Sequence, residues 1–366
     1  MNVLVDNGLF MAGLPAKSGH GRIWSNLFQR LPQDIEVFTC SRIRNLPQAM
    51  PKALRGSPLP VMRPLRFFGR VLDWTAYAID RLVPLQLLAP SLYTAGASTL
   101  RLARRIPLVT ILDDLTPEAV PGTMPQWIEP KKRTLEAASR IICISESTKK
   151  LAMEHYKLPE ERFRVAPLAC DLVRPDPLTS IRLHERPYFL VVGNRQGYKN
   201  FDLTLRAFAR VAQKCADVNL ILAGPEIVPF EHARIGELRL NDRIHHVGAV
   251  DDLVLAGLYA HSVALVYVSF SEGFGIPPLE AMTCGTVAIV SNRTSLPEVV
   301  GEAGLLVDPE DYESLSDAML NVLNNTSLRD DLVCKGLNRA KHFSWDRTSE
   351  IVFSTWREVV STSSSR

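Results

Sequence analysis

The amino-acid sequence predicts an α/β protein built from two Rossmann-like, doubly wound parallel-sheet domains, and three observations carry that prediction. The chain has 366 residues, more than one hydrophobic core fills, so two domains of ordinary size are expected. Short apolar, β-branched runs alternate with longer amphipathic stretches along the whole length, the pattern of strands buried on both faces and joined by helices. Near the middle, CDLVRPDPLTSIRLHERPY at residues 170–188 replaces that alternation with prolines and charges and marks a boundary.

Taken in order, the strand runs of the first half are NVLV, EVFTC, PLVTIL, RIICIS and RFRVAPL. Those of the second half are YFLVVG, NLILAG, RIHHVG, VALVYVS and VAIVS. This gives about five strands to each half, with domains expected at 1–175 and 176–345. In such sheets ligands lie beyond the carboxyl ends of the strands, so the chemistry is expected in a cleft between the halves. The tail STSSSR, residues 361–366, is expected to fray.

Composition narrows the class. With 46% hydrophobic and 22% charged residues the chain reads as globular, and a net charge of +3 is too small to argue for a nucleic-acid partner. The positive charge is nevertheless uneven. Arg42, Arg44, Lys52, Arg55, Arg63, Arg66 and Arg70 stand without an acidic residue among them, beside Phe67, Phe68 and Trp74. Residues 42–70 are therefore a candidate for peripheral contact with an anionic membrane, although a solvated loop and helix face would have a similar composition. The uncharged run 82–100 is broken by Pro84, Gln86 and Pro90 and reads as buried strand and loop rather than a spanning helix. The cysteines are scattered without zinc-ligand spacing, and no secretory signal opens the chain, so a reduced, cytoplasmic setting is expected.

The most informative stretch is SFSEGFGIPPLEAMTCG, residues 269–285, with Glu272 and Glu280 eight positions apart. VALVYVS reads as a strand ending at SEGFG. PPLEAMTCG reads as a helix with prolines in its first turn and Gly285 as its stop. The N–H groups of Phe274, Gly275 and Ile276 then sit at a helix N-terminus, where unpaired donors and the macrodipole favour an anion. Glu280 is expected in the first helical turn, facing the same crevice and able to accept from sugar hydroxyls. Glu272 is expected at the other rim. Either glutamate alone could equally be a dipole-complementing or solvated residue.

With its continuation to residue 311, this stretch resembles the retaining glycosyltransferases of family 4, which have the two-domain GT-B fold and an E-x7-E signature. The resemblance implies that Glu280 binds the ribose of a sugar nucleotide and that Glu272 lies against the donor sugar. It also implies that the backbone of Phe274, Gly275 and Ile276 contacts sugar and diphosphate. VVGNRQGYKNFD, residues 191–202, is similar to a second family element and brings in Gly193, Asn194, Arg195 and Lys199. A nucleoside diphosphate gains charge as it departs, and fixed cations stabilise it; by resemblance Arg195 and Lys199 are those cations. In IHHVGAV, residues 244–250, the loop at Val247 and Gly248 is implied to contact the base. His245 and His246 point to opposite faces of a strand and read as non-ligands. No Asp-x-Asp spacing is present, so neither metal nor cofactor is expected, and a GDP- or UDP-linked sugar is the implied donor substrate.

In the first half, LPAKSGHGRIWSNLFQRL, residues 14–31, resembles the family's loop over the donor diphosphate, carried by Gly19 and Gly21. The amphipathic helix that follows has Ile23, Leu27 and Leu31 on one face. Residues 139–171 are similar to the family's last N-terminal strand and helix. FSWDRT, residues 343–348, resembles the segment that begins a helix crossing back to the first domain, expected over 346–366. Residues from about 41 to 105 match nothing in the family.

One departure stands out. In VTILDDLTPEAVP, residues 109–121, relatives have a histidine before Asp-Leu-x-Pro that bonds the donor sugar. Alignment on Pro117 puts Asp113 in its place, whereas alignment on Thr110 and Ile111 puts Leu112 there. The expectation adopted is Asp113, contacting donor or acceptor hydroxyls as an ionised acceptor. The alternative is a capping or loop role for Asp113 and Asp114.

The implied activity is transfer of a hexose, mannose as first choice, with retention to a hydroxyl of a glycan or lipid-linked acceptor, in surface polysaccharide or glycolipid assembly. Two rivals remain: a catalytically silent relative that binds nucleotide or glycan, and a nucleotide-sugar epimerase on the same fold. A nicotinamide dehydrogenase is disfavoured, because no G-x-G-x-x-G follows an early strand.

Overall fold

The structure is a computed structural model that describes residues 1–6, 19–40, 92–96, 107–176 and 184–364. The basic segment 42–70 and most of the glycine-bearing loop before residue 19 lie outside the described residues. The chain divides into two compact units. Unit 1 comprises Met1–Ile144, Thr148–Pro167 and Trp345–Arg366, and unit 2 comprises Ser145–Ser147 and Leu168–Ser344.

Unit 1 holds β1 (Asn2–Asp6), β2 (Glu36–Cys40), β3 (Leu92–Gly96), β4 (Leu108–Leu112), β5 (Arg140–Cys143) and β6 (Phe163–Val165). They form one sheet in the order β2-β1-β3-β4-β5-β6, every pairing parallel. The run LVTIL of β4 is buried throughout, as a strand covered on both faces requires. The helix Gly19–Gln29 buries Ile23, Trp24, Leu27 and Phe28, at the spacing of one helical face.

The C-terminal helix Trp345–Ser364 belongs to this unit. It buries Val352, Phe353, Trp356 and Val359, and Trp345 is buried at its start. Polar contacts fix its orientation. Glu358 meets Arg140 of β5 at 2.6 Å and Arg164 of β6 at 3.0 Å, while Arg357 reaches Asp34 at 2.8 Å.

Unit 2 holds β7 (Tyr188–Val192), β8 (Asn219–Ala223), β9 (Ile244–Gly248), β10 (Ala264–Tyr267), β11 (Val287–Ser291) and β12 (Gly304–Val307). Their order is β12-β11-β10-β7-β8-β9, again wholly parallel. β8, β10 and β11 are buried along their entire length. The helix Phe201–Lys214 covers the sheet with Leu205, Phe208 and Val211. Successive strands run outward from β7 on one side, and the chain then returns to place β10 on β7's other side. The β7/β10 junction is therefore the topological switch point, where the loops leaving the two strands diverge and a ligand is expected to bind.

Each sheet has one strand more than the apolar runs indicated. β3, LYTAG, lacks a β-branched run and sits in the uncharged segment 82–100. β12, GLLV, is a short edge strand with Leu306 exposed. No described helix is long and apolar enough to cross a membrane.

Candidate functional site

At the switch point of unit 2, the loop after β7 carries Gly193, Asn194, Arg195 and Lys199, and the loop after β10 carries Glu272, Phe274 and Gly275. Lys199 and Glu272 meet across it, Nζ to Oε1 at 2.6 Å, and Lys199 also donates to the Tyr267 hydroxyl at 3.0 Å. The ammonium lies over the Tyr198 and Tyr267 rings, 4.9 and 5.3 Å from their centroids, a cation–π arrangement. Burial works against the Lys199 charge, but Tyr267, Glu272 and Tyr198 outweigh it and hold the pKa above the ordinary lysine value. Burial and the Glu272 carboxylate push the Tyr267 phenol up, so it stays a neutral donor. The site thus keeps one fully charged lysine beside a carboxylate that a bound anion would compete with.

Gly275 is the N-cap of the helix Ile276–Thr283, with φ of 103°. A Cβ there would lie 2.6 Å from the buried Leu296 side chain, so both conformation and space require glycine. Pro277 and Pro278 have no N–H to offer. Of the four orphan donors at a helix start, this terminus keeps those of Gly275 and Ile276. The Phe274 side chain is buried edge-on against Phe343 at 5.6 Å, which leaves its backbone to serve the loop. Two residues with no part in the expected site brace that loop. Thr294 Oγ1 accepts from Glu272 N at 3.0 Å, and Ser295 Oγ donates to the carbonyls of Glu272 and Phe274 at 2.9 Å.

Glu280 departs from its expected position. The helix starts at Ile276, so Glu280 is its fifth residue and stands in the second turn. The prolines suggested a start one residue later, and the left-handed Gly275 cap could not be read from composition. At 2% exposure Glu280 is not a dipole-complementing surface group. Its Oε2 accepts from the Tyr259 hydroxyl at 2.9 Å, and burial followed by the Glu280 charge raises the Tyr259 pKa well above a phenol's. Burial also pushes the nearby Cys170 and Cys284 thiols up to about 12, so both stay protonated and inert.

Arg195 also differs from the expected picture of a cation open to a diphosphate. It is 4% exposed and bonded on two edges within unit 2. Nε and Nη2 donate to the two oxygens of Glu231 at 3.2 and 3.1 Å, and Nη2 reaches the carbonyls of Pro225 and Glu226 at 2.8 and 3.0 Å. The neighbouring strand ends are close-set. Gly193 N donates to Ala223 O at 2.8 Å and Gly224 N to Gly248 O at 2.9 Å. A Cβ on Gly224 would sit 2.7 Å from the Gly193 carbonyl. Asn194 is exposed and accepts from Gln196 N at 3.1 Å. Val247 and Gly248 end β9, with Gly248 at φ 71°. His246 turns to the Gly224 carbonyl at 3.0 Å, and among the described residues no His, Cys, Asp and Glu cluster is arranged to hold a metal.

In unit 1, Leu112 is the last residue of β4 and fully buried, whereas Asp113 follows it and is half-buried. Of the two candidates for the histidine position, Asp113 is the one whose side chain leaves the core. Asp114 has the turn role: its Oδ1 accepts from Thr116 N at 2.7 Å. Beneath this loop, buried Lys131 donates to Asp114 O at 2.6 Å and pairs with Glu118 at 2.9 Å. Gly19 and Gly21 lie in the first turn of the helix Gly19–Gln29 rather than in the loop before it.

Comparison with known proteins accounts for both units. Residues 18–174 match the family model described as Glycosyltransferase Family 4, and residues 180–339 match that of Glycosyl transferases group 1. O-antigen chain mannosyltransferase B of Escherichia coli is 33% identical over 256 residues, 65% of this chain and 67% of that protein. A D-inositol 3-phosphate glycosyltransferase of Paenarthrobacter aurescens is 26% identical over 257 residues, 64% of this chain and 60% of the relative. Among solved structures, sucrose-phosphate synthase from Thermosynechococcus elongatus superposes with a TM-score of 0.74 at 18% identity, covering 99% of this chain and 100% of that one. Anabaena HepE in complex with UDP and glucose gives 0.74 at 16%, covering 98% and 100%. The chain belongs to the group 1 glycosyltransferases and has their GT-B fold.

Proposed function

We propose that this glycosyltransferase moves a hexose, mannose as first choice, from a GDP- or UDP-linked donor to an acceptor hydroxyl in polysaccharide or glycolipid assembly, with retention and without a metal. The observation that carries the reading is the Lys199–Glu272 pair at the β7/β10 switch point, in the unit that also holds the Gly275 helix start and buried Glu280. The E. coli mannosyltransferase supports the hexose and the process, and the UDP and glucose held by HepE support a nucleotide-sugar donor.

On this reading the donor diphosphate meets Lys199 and the amides of Gly275 and Ile276. The ammonium turns from Glu272 toward the phosphate oxygens as the leaving group gains charge, and a cation held largely out of water stabilises that charge more strongly than one in bulk solvent. Glu280, held by Tyr259, accepts from ribose hydroxyls, and Glu272, freed from Lys199, faces the donor sugar. Asp113 of unit 1 accepts from a substrate hydroxyl. Val247 and Gly248 offer backbone groups to the base.

The test is calorimetry against GDP, UDP, ADP and dTDP, followed by turnover with the matching sugar nucleotides in the presence of EDTA. The anomeric configuration of the product is read by NMR. Binding of one nucleotide and an EDTA-insensitive, retained product are expected. No heat with any of the four, or an inverted product, overturns the reading.

A further inference from the structure

Among the described residues of unit 2, Arg195 and Glu231 form the most enclosed ion pair, with side chains 2% and 1% exposed. The pair links two loops that the chain separates widely. Arg195 stands in the loop after β7, four residues before Lys199. Pro225, Glu226 and Glu231 lie beyond β8, and Glu231 Oε2 also accepts from Val228 N at 3.0 Å, at the start of the helix Pro229–Glu237. One carboxylate therefore caps a helix and grips a guanidinium, and that guanidinium grips the carbonyls of Pro225 and Glu226 in the turn between β8 and the helix. Its Cζ lies over the Phe201 ring at 5.6 Å.

A charge so compensated has little left for a ligand. The two charges nearly cancel at a distance, and the planar fork is spent on protein acceptors. Nη1 alone has no partner and is buried. Arg195 lines a small pocket with Lys199, Tyr267 and Ser269, with room for about one water molecule.

We propose that Arg195 and Glu231 are positioning residues of the donor site. Together they lock the loops after β7 and β8 into one frame, so that Lys199 and the backbone of Gly193 and Gly224 are held in register, and Lys199 rather than Arg195 presents its charge to the diphosphate. The inference rests on the donor-site reading above, and the experiment separates the two.

Nucleoside diphosphate affinity is measured for E231Q, R195K, the double variant and K199M, with amide hydrogen exchange on the ligand-free proteins. Glu231→Gln keeps shape but loses the paired carboxylate. Arg195→Lys keeps charge but loses the fork. Each single variant should weaken binding about five-fold or more, and the double should be no worse than the weaker single, because the two residues act as one unit. Exchange at residues 193–199 should quicken in E231Q although the substitution lies beyond β8.

The inference is overturned if E231Q binds within about two-fold of the parent or tighter, as removal of a negative charge near a directly contacting Arg195 would give. Multiplying losses in the double, or unchanged exchange at 193–199, overturn it equally. Unchanged binding in K199M sinks the donor-site reading instead. The exchange measurement needs no ligand, and R195K serves it if E231Q does not fold.

Discussion

Glu280 shows how a single carboxylate is prepared in this protein. It is withdrawn from water, and the hydroxyl of Tyr259, itself fully buried, supplies one hydrogen bond. Removal of that hydroxyl takes one hydrogen bond from a buried carboxylate, which costs about 1–3 kcal/mol. Tyr259→Phe is expected to lower stability by that amount in denaturant titration and to weaken nucleoside binding, while nucleoside-free inorganic diphosphate binds as before. Equal loss for both ligands would place Glu280 elsewhere than at the ribose. Tyr259 itself was invisible in the sequence, because AGLYAH carries no motif and the contact bridges 21 residues.

At the scale of elements, the C-terminal helix rests on a carboxylate shared by two strands. Burial raises the Glu358 pKa, but Arg140 and Arg164 more than reverse that and leave it below the ordinary 4.5. A depressed folded pKa contributes stability above the unfolded value and loses it as pH falls through the folded one. Glu358→Gln should therefore lower the melting temperature at neutral pH. The gap to the parent should begin to narrow as pH falls below about 4.5 and vanish only below the depressed folded value, where both proteins carry an uncharged group. A gap that stayed constant through the whole acid titration would show that the Glu358 charge does not hold the helix.

Most strands were readable because a parallel strand covered on both faces must be a continuous apolar run, as in LVTIL and VAIVS. β3 and β12 were not, since LYTAG has little β-branched content and GLLV lies at an edge where burial is partial. The turn after β10 was readable because glycine and proline have few other uses at a strand-to-helix junction. The partners that hold its residues were not: Glu231 reaches Arg195 across 36 positions and Ser295 reaches Glu272 across 23. Nothing local to any of these residues encodes its bond.

For the whole molecule, the return of the C-terminal helix to unit 1 has an optical consequence. Trp24, Trp74, Trp127, Trp345 and Trp356 are all the tryptophans in the chain, and none lies in the residue ranges of unit 2. Indole emission excited at the red edge thus senses only half of the protein, while far-ultraviolet circular dichroism senses both halves. Under urea the two signals should trace offset curves if the halves melt separately. A nucleotide that tightens unit 2 should then shift the dichroism midpoint and leave the emission midpoint where it was.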